Sequence, residues 1–215
     1  MYQQRIDFWK ARGFQPNVIY DIGANKGEFA RQMRENFPLA QIECFEANAD
    51  NAGDLKEFSN HIVLLGDSVK ENIPFYKIKE GFNTGDSMYL EVSSAFREGN
   101  YTTTLQSMTT IDVLIKEKNL VPPTFIKLDV QGAELDILNG MQETLPYVKW
   151  IQMECSLHRW NAGAPMIEDC IVYMSQRGFV TVDILENHSL PGGYLGQVDI
   201  LFAHTSIGAR REHFF

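Results

Sequence analysis

The stretch VIYDIGANKGEF, residues 18–29, constrains the fold more than any other part of the sequence. An apolar run that begins with β-branched residues and stops at glycines is typical of a buried parallel strand that feeds a tight loop. The residues that follow place Phe29, Met33 and Phe37 on one face of a helix. The stretch therefore predicts a strand, a glycine loop and a helix, with free backbone N–H groups aimed above the strand.

The same alternation continues along the chain. Further strands are predicted at 41–46, 61–66, 124–130, 148–154, 179–185 and 197–204, and helices at about 27–37, 50–58, 109–118, 133–145 and 168–178. Alternating strands and helices predict an α/β fold, an open and mainly parallel sheet with helices on both faces. The chain is expected to form a single domain over residues 1–215.

Three segments depart from this alternation. Residues 1–17 predict a short helical extension, with Ile6, Phe8 and Trp9 turned inward. Residues 73–106 predict an inserted β-hairpin, with strands at 73–79 and 87–93 and a loop between them that forms a wall for an acceptor. The last two strands are joined by a loop at 186–196, and without a crossover helix they should pair antiparallel.

Composition excludes several kinds of protein. The net charge is −9 with Lys and Arg scattered, so nucleic-acid binding is not expected as a main role. The chain has neither an apolar stretch long enough to span a membrane nor an apolar secretory signal. Its three cysteines, Cys44, Cys155 and Cys170, are far apart and odd in number, so no disulfide framework or zinc knuckle is predicted. We expect a reduced, cytoplasmic protein.

The loop after the first strand is the first candidate binding site, because ligands of such sheets bind beyond the carboxyl ends of the strands. Gly23 and Gly27 lack the third glycine of a dinucleotide fingerprint. Asp21 would repel a pyrophosphate but suits an ammonium group or an ordered water. A plain strand–helix turn that needs glycine only for its backbone shape is the alternative.

Acidic residues end the next two strands. Glu46 follows Gly23 at the spacing where a carboxylate accepts hydrogen bonds from both hydroxyls of a ribose. Asp67 ends the third predicted strand, where it could accept the exocyclic amine of a base. The alternative for Glu46 is a surface acid that opens the next helix. Together the three strand ends would hold the amino-acid part, the ribose and the adenine of one ligand.

The fourth and fifth long strands bring further charges to the same edge. Lys127 and Asp129 share one face of the strand FIKLDV. A lysine inside a central strand is costly unless it is paired, so Asp129, Glu134 or Glu154 should lie within hydrogen-bonding reach. A buried ion pair that only braces the sheet is the alternative. His158 follows Glu154 in the next loop.

Seven motifs carry a resemblance to a known family. DIGANKGEF, CFEAN, GDS, TTTLQSMTTID, FIKLDVQGAELDILNG, IQMEC and QVDILF resemble, in order and spacing over residues 15–205, the FkbM family of S-adenosylmethionine-dependent methyltransferases. The resemblance implies a class I methyltransferase (Rossmann-like) sheet with an antiparallel last strand. It also implies S-adenosyl-L-methionine as cofactor and methylation of a hydroxyl on a sugar, glycolipid or polyketide-type acceptor. Ala47 stands where the family often has proline, and Glu46 is kept.

The residues and the resemblance together give a predicted site. The predicted cofactor-binding residues are Asp21, Gly23, Asn25, Gly27, Glu46, Asn48, Asp67, Ser68 and Asp129. Asp129 is the first candidate for orienting or deprotonating the acceptor, and His158 is the second because an imidazole can act as a base near neutral pH. Glu154 is the third candidate. No metal site is predicted; Asp129 and Glu154 holding a divalent cation is the alternative, ranked lower.

Two other classes of function remain as alternatives. A nicotinamide-dependent oxidoreductase would use a related sheet, but the third glycine and a Tyr-Lys catalytic pair are missing. A non-catalytic protein that keeps the cofactor pocket is the other. The predicted partner is a small-molecule or glycan acceptor, and the sequence predicts no oligomeric state.

Overall fold

A computed structural model of the chain describes residues 2–79, 85–92, 100–190 and 192–208. Residues 80–84 of the predicted hairpin loop and Ser93 of its predicted second strand lie outside the described residues. The helices are α1 Tyr2–Lys10, α2 Glu28–Asn36, α3 Ile111–Lys118, α4 Glu134–Asn139 and α5 Ile167–Gln176. The strands are β1 Val18–Ile22, β2 Gln41–Glu46, β3 Ser59–Ile62, β4 Leu64–Leu65, β5 Lys70–Ile78, β6 Tyr101–Thr109, β7 Phe125–Leu128, β8 Trp150–Ser156, β9 Phe179–Ser189 and β10 Leu195–His204.

A seven-stranded sheet in the order β3-β2-β1-β7-β8-β10-β9 organises the fold. The neighbours from β3 to β8 pair in parallel. The last strand, β10, pairs antiparallel with both β8 and β9. The predicted fold class and the predicted antiparallel last strand are therefore confirmed.

The alternation of side chains along β1 builds a core on each face of this sheet. Ile19 packs with residues of α1 and α2 on one face. Tyr20 and Ile22 pack with residues of α3, α4 and α5 on the other. All five residues of β1 are buried, as expected of a central parallel strand covered on both faces. Asp21 shares the face of Ile19, so its carboxylate lies in the core beneath α1 and α2.

The N-terminal helix α1 buries a narrower stripe than predicted. Ile6 and Trp9 are 1% and 3% exposed, but Phe8 is 38% exposed. Tyr2 joins the buried stripe instead, because residues spaced by four and three positions share a helical face whereas Phe8 is rotated away from it. Among the described residues, the structure contains no helix that is long and apolar enough to cross a bilayer.

The prediction of one continuous strand at 61–66 is wrong, because the chain passes from one sheet to another within this segment. β3 pairs with β2 and ends at Ile62, and the backbone N–H of Val63 then bonds to the carbonyl of Glu46. Leu64 and Leu65 form β4, which belongs to a second sheet of order β4-β6-β5. A continuous apolar run does not reveal such a change of partner.

The inserted hairpin also has a different second strand. β5 pairs antiparallel with β6, nine residues long, rather than with residues 87–93. Of the predicted strand, Ser87 forms an isolated bridge with Tyr76, and Glu91 forms one with Asn161. Consecutive threonines give β6 a strong β-propensity that explains its length.

Two predicted helices are shorter than expected. Residues 50–58 contain only a 3₁₀ helix, Ala49–Gly53, and the side chain of Asn48 caps it by accepting the N–H of Asp50. α4 ends at Asn139 rather than at 145, and Gly140 caps it by donating its N–H to the carbonyls of Asp136 and Ile137. α3 is capped by Thr110, whose side chain accepts the N–H of Val113.

Candidate active site

A cleft of about 1440 Å³ opens along the carboxyl edge of the large sheet. Of the residues predicted from sequence, Gly23, Asn25, Glu46, Asp129 and Glu154 line it. Asp21, Gly27, Asn48, Asp67, Ser68 and His158 are not among its lining residues. The cleft runs from the glycine loop over β7 and β8 to the paired strands β9 and β10.

Gly23 lets two loops of this edge meet closely. A Cβ atom at Gly23 would lie 1.9 Å from the carbonyl oxygen of Asp129, and the residue has a φ of +78°. The N–H groups of Gly23 and Ala24 both donate to the carbonyl of Phe45. These two N–H groups, which were predicted to be free for a ligand, are therefore used within the fold.

Glu46 ties the first loop to the second. Its Oε2 accepts the backbone N–H of Asn25 at 2.7 Å, and its Oε1 accepts that of Asn48 at 2.7 Å. The side chain is 8% exposed, and burial raises its pKa although both backbone donors lower it. Each carboxylate oxygen has two acceptor positions, so both oxygens can still accept a bond from the cleft.

Asp67 does not lie beside Glu46 as predicted. It is exposed, and it accepts bonds from Lys70 at 2.9 Å and from Ser68 at 2.7 Å. The reason is the change of sheet at Val63, which carries the GDS motif away from the edge of the large sheet. The acid that does line the cleft near Glu46 is Asp86, which accepts a bond from the buried amide of Asn48 at 2.7 Å.

The predicted pairing of Lys127 is confirmed. Its Nζ lies 3.0 Å from Asp129 Oδ2 and 3.7 Å from Asp21 Oδ1. Burial lowers the pKa of Lys127, but the carboxylates of Asp129 and Asp21 outweigh it and raise the pKa above its usual value. Asp21 is fully buried, and burial raises its pKa even though Lys127 opposes the shift. Lys127 thus keeps its charge and holds two acids.

Glu134, named from sequence as another partner for Lys127, has a different role. It accepts the N–H groups of Val130 and Gly132 at 3.1 and 3.2 Å, and so closes the loop between β7 and α4. Burial raises the pKa of Glu134 to about 7.

Gln131 joins the two candidate acids of the rim. Its Nε2 donates to Asp129 Oδ1 at 3.0 Å and to Glu154 Oε2 at 2.8 Å. The residue has a φ of +56°, which is uncommon for a residue other than glycine and is found where the fold holds a side chain in a required position. Burial and the neighbouring charges of Asp129 and Asp199 raise the pKa of Glu154 well above its usual value.

A buried chain of polar groups continues from α1 to β10, and sequence reasoning missed it. The hydroxyl of Tyr2 donates to Gln152 Oε1 at 2.7 Å, and Gln152 Nε2 donates to Asp199 Oδ2 at 2.7 Å. Tyr2, Gln152 and Asp199 all line the cleft. The available signal was a polar residue inside an apolar strand, in WIQME and QVDIL, because such a residue needs a partner.

His158 remains outside this arrangement. It is exposed, and Trp160, two residues later, lines the cleft instead. The indole Nε1 of Trp160 is buried and has no hydrogen-bond partner among the described residues. The catalytic role of His158 therefore stays a prediction without a supporting position.

The comparisons with known proteins decide the family. A family model described as "Methyltransferase FkbM domain" matches residues 21–181, which include the glycine loop, Glu46, Asp129 and Glu154. The chain belongs to the FkbM methyltransferase family. The resemblance inferred from the motifs is therefore confirmed.

Two curated relatives of this FkbM chain are methyltransferases by name. The "2-O-methyltransferase NoeI" of Sinorhizobium fredii is 31% identical over 157 residues, which cover 65% of this chain and 63% of the relative. The "Hexuronic acid methyltransferase AglP" of Haloferax volcanii is 26% identical over 145 residues, covering 65% of this chain and 56% of the relative. The match thus spans less than two thirds of the length of either relative.

A solved structure supports the fold assignment. The crystal structure of EvdMO1 superposes on the FkbM chain with a TM-score of 0.50 at 8% identity, over 94% of this chain and 41% of the other. At this identity the likeness concerns the fold alone.

Proposed function

We propose that this protein is an S-adenosylmethionine-dependent O-methyltransferase. The observation that carries the proposal is the position of Glu46, a buried carboxylate that ends β2 and faces the cleft beside the glycine loop of an FkbM family sheet. At this place a carboxylate suits the two hydroxyls of a ribose.

The cleft offers a place for each part of the cofactor. The ribose binds Glu46, and the adenine lies against the apolar lining formed by Val63, Leu64 and Leu65. Asp86 replaces Asp67 as the acceptor for the adenine amine, because it lines the cleft and Asp67 does not. The methionine part extends past Gly23 towards β7, which brings the methyl group to the rim that holds Asp129.

The reaction that we propose is an in-line displacement. The acceptor hydroxyl oxygen bonds to the methyl carbon as the carbon–sulfur bond breaks. The electron pair of the broken carbon–sulfur bond stays on sulfur, which gives S-adenosylhomocysteine. Asp129 takes the hydroxyl proton and passes it to solvent. Lys127 and Gln131 hold the two oxygens of Asp129 in fixed positions. Such positioning can supply up to about 7–11 kcal/mol of the barrier reduction.

The proposed acceptor is a sugar or a sugar-bearing molecule. The name of one curated relative specifies methyl transfer to an oxygen, and the name of the other specifies a hexuronic acid; together they support a hydroxylated, sugar-type acceptor. Glu154 and Asp199 line the far half of the cleft and can accept bonds from hydroxyls, while Trp160 offers an aromatic ring beside them.

Two measurements test the proposal. Calorimetry should show binding of S-adenosylhomocysteine and no binding of NAD or NADP, and the reverse would favour an oxidoreductase. Transfer of a labelled methyl group should then be measured with sugar nucleotides, glycolipids and polyketides. Cofactor binding without transfer to any of these acceptors would favour a non-catalytic binding protein.

A further inference from the structure

A cluster of three side chains occupies the far half of the cleft, beyond Asp129. Glu154 on β8, His188 on β9 and Asp199 on β10 each have a ligand atom within 4.8 Å of those of the other two. Three adjacent strands supply them, since Glu154 pairs in register with Asp199 and His188 with Gln197. Residues on paired strands are held more firmly than residues on loops, so the cluster is preorganised.

The hydrogen bonds of the two acids engage one oxygen of each. Glu154 Oε2 accepts bonds from Gln131 and Gln197, both at 2.8 Å, and Asp199 Oδ2 accepts one from Gln152. Among the described residues, no hydrogen bond reaches Glu154 Oε1 or Asp199 Oδ1. Asp199 is only 7% exposed, yet its Oδ1 is 3.9 Å from His188 Nε2, which is too far for a hydrogen bond. Amide donors that fix one oxygen of a carboxylate are the usual support of a metal ligand.

Among the described residues, Glu154 forms no ion pair, and Asp199 pairs only with His188, whose Nε2 lies 3.9 Å from Asp199 Oδ1. Lys127 pairs with Asp129 and Asp21, not with Glu154.

We infer that Glu154, His188 and Asp199 form a binding site for one divalent cation. Two carboxylates and one imidazole form a mixed oxygen and nitrogen set, which suits Mn²⁺ or Zn²⁺ better than the all-oxygen sites preferred by Ca²⁺. The cation leaves positions for oxygens of the acceptor, so it binds and polarises the hydroxyl to be methylated. This role, though not the site itself, rests on the proposed function.

The inference differs from the metal alternative considered from sequence, which placed an ion between Asp129 and Glu154. In the structure, Lys127 and Gln131 already engage both oxygens of Asp129. Asp129 is not part of the cluster, whose ligand atoms come from Glu154, His188 and Asp199.

Binding of Mn²⁺ alone tests the site, measured by the loss of the free-ion signal in electron paramagnetic resonance. The unsubstituted chain should bind one Mn²⁺. Asp199→Asn and His188→Gln should each weaken binding by about 10-fold or more, since even the loss of a supporting residue costs 10–100-fold. Asp129→Asn should weaken it much less, although it removes a charge from the same rim.

Three outcomes would overturn the inference. The first is that no Mn²⁺ binds at millimolar concentration. The others are an equal loss of Mn²⁺ affinity in Asp129→Asn and Asp199→Asn, or an unchanged Mn²⁺ affinity in His188→Gln. His188 decides the matter if Asp199→Asn unfolds, because its side chain is 53% exposed and its replacement leaves the core intact. S-adenosylhomocysteine binding is measured on the same samples. Mn²⁺ binding without cofactor binding would support the cation site and contradict the proposed function.

Discussion

Lys127 Nζ lies 3.0 Å from Asp129 Oδ2, and this pair connects the core of the sheet to the floor of the cleft. Lys127 is buried beneath the ring of Phe29, whose centroid is 5.5 Å from Nζ, while Asp129 reaches the cleft. The buried lysine thus fixes the orientation of a carboxylate that lines the cleft.

Replacing the lysine should be strongly destabilising. Lys127→Met leaves Asp129 and the fully buried Asp21 without their cation, and breaking a buried pair in this way typically costs about 3–5 kcal/mol. Lys70→Met is the matched control, because it breaks an exposed pair with Asp67 that is worth about 0–1 kcal/mol. Chemical denaturation measures the free energy of unfolding of both variants. An equal decrease in the two would show that the Lys127 pair does not stabilise the fold.

Asp129→Asn should impair turnover more than cofactor binding. The substitution keeps the size of the side chain but removes the charge proposed to accept the hydroxyl proton, so kcat should fall about 10²-fold or more. Steady-state kinetics and calorimetry with S-adenosylhomocysteine separate the two effects. Asp54→Asn, at an exposed position, is the control and should behave as the unsubstituted chain does. Full activity in Asp129→Asn would leave catalysis to positioning alone.

Glu46→Ala should weaken cofactor binding. It removes two proposed charge-assisted hydrogen bonds to the ribose, each worth about 1.5–3 kcal/mol, and it also frees the backbone N–H groups of Asn25 and Asn48. Calorimetry with S-adenosylhomocysteine should therefore show an affinity at least about 100-fold lower. Glu117→Ala, on the exposed face of α3, is the control. Unchanged affinity in Glu46→Ala would refute the ribose assignment.

Gly23→Ala should be far more costly than alanine at other glycines. The new Cβ would lie 1.9 Å from a backbone oxygen in a residue with φ of +78°, so the free energy of unfolding should fall by about 3 kcal/mol or more.

Two other glycines separate the causes. Gly13→Ala has a φ of +89° but open space around it, so it measures the backbone strain alone, about 1–2 kcal/mol. Gly53→Ala has neither problem and should be nearly neutral. If Gly23→Ala lowers the free energy of unfolding no more than Gly13→Ala does, the loop shifts to accommodate the added atom.

The raised pKa of Glu134 predicts a pH dependence of stability. The ordinary pKa of this carboxyl is 4.5 and burial raises it to about 7, so the folded state binds the proton more tightly than the unfolded state. Its contribution to stability is complete below about pH 4.5 and is lost as the pH rises towards 7. Glu134→Gln cannot titrate, so its melting temperature should fall less than that of the unsubstituted chain between pH 5 and pH 7. Parallel curves would contradict the assignment.

The sequence predicts those parts of the fold and site that depend on local pattern. The apolar run before Gly23 and the helical spacing after it identify β1 and α2. The need to pair a buried lysine predicts that Lys127 contacts Asp129, Glu134 or Glu154, and Asp129 is the one that it contacts. Local pattern also predicts the position of Glu46, because an acid that follows an apolar run lies at the end of the strand, here β2.

The remaining features depend on which strands become neighbours, which local pattern does not record. Asp67 follows an apolar run just as Glu46 does, but Leu64 and Leu65 pair with β6 and carry it away from the cleft. Asp199 and His188 meet Glu154 only because β10 inserts between β8 and β9. The long-range contact of Tyr2 with Gln152 likewise requires α1 to cover the sheet.

The position of β10 has a consequence for synthesis of the chain. A polypeptide that has emerged as far as β8 already contains the glycine loop, Glu46 and Asp129, but β8 is then an unprotected edge. β9 is made next and must stay apart from β8, because β10 has to enter between them and bring Asp199 opposite Glu154. The half of the cleft that we propose for the cofactor can thus form before β9 and β10 are made, whereas the half proposed for the acceptor is completed only when β10 has been translated.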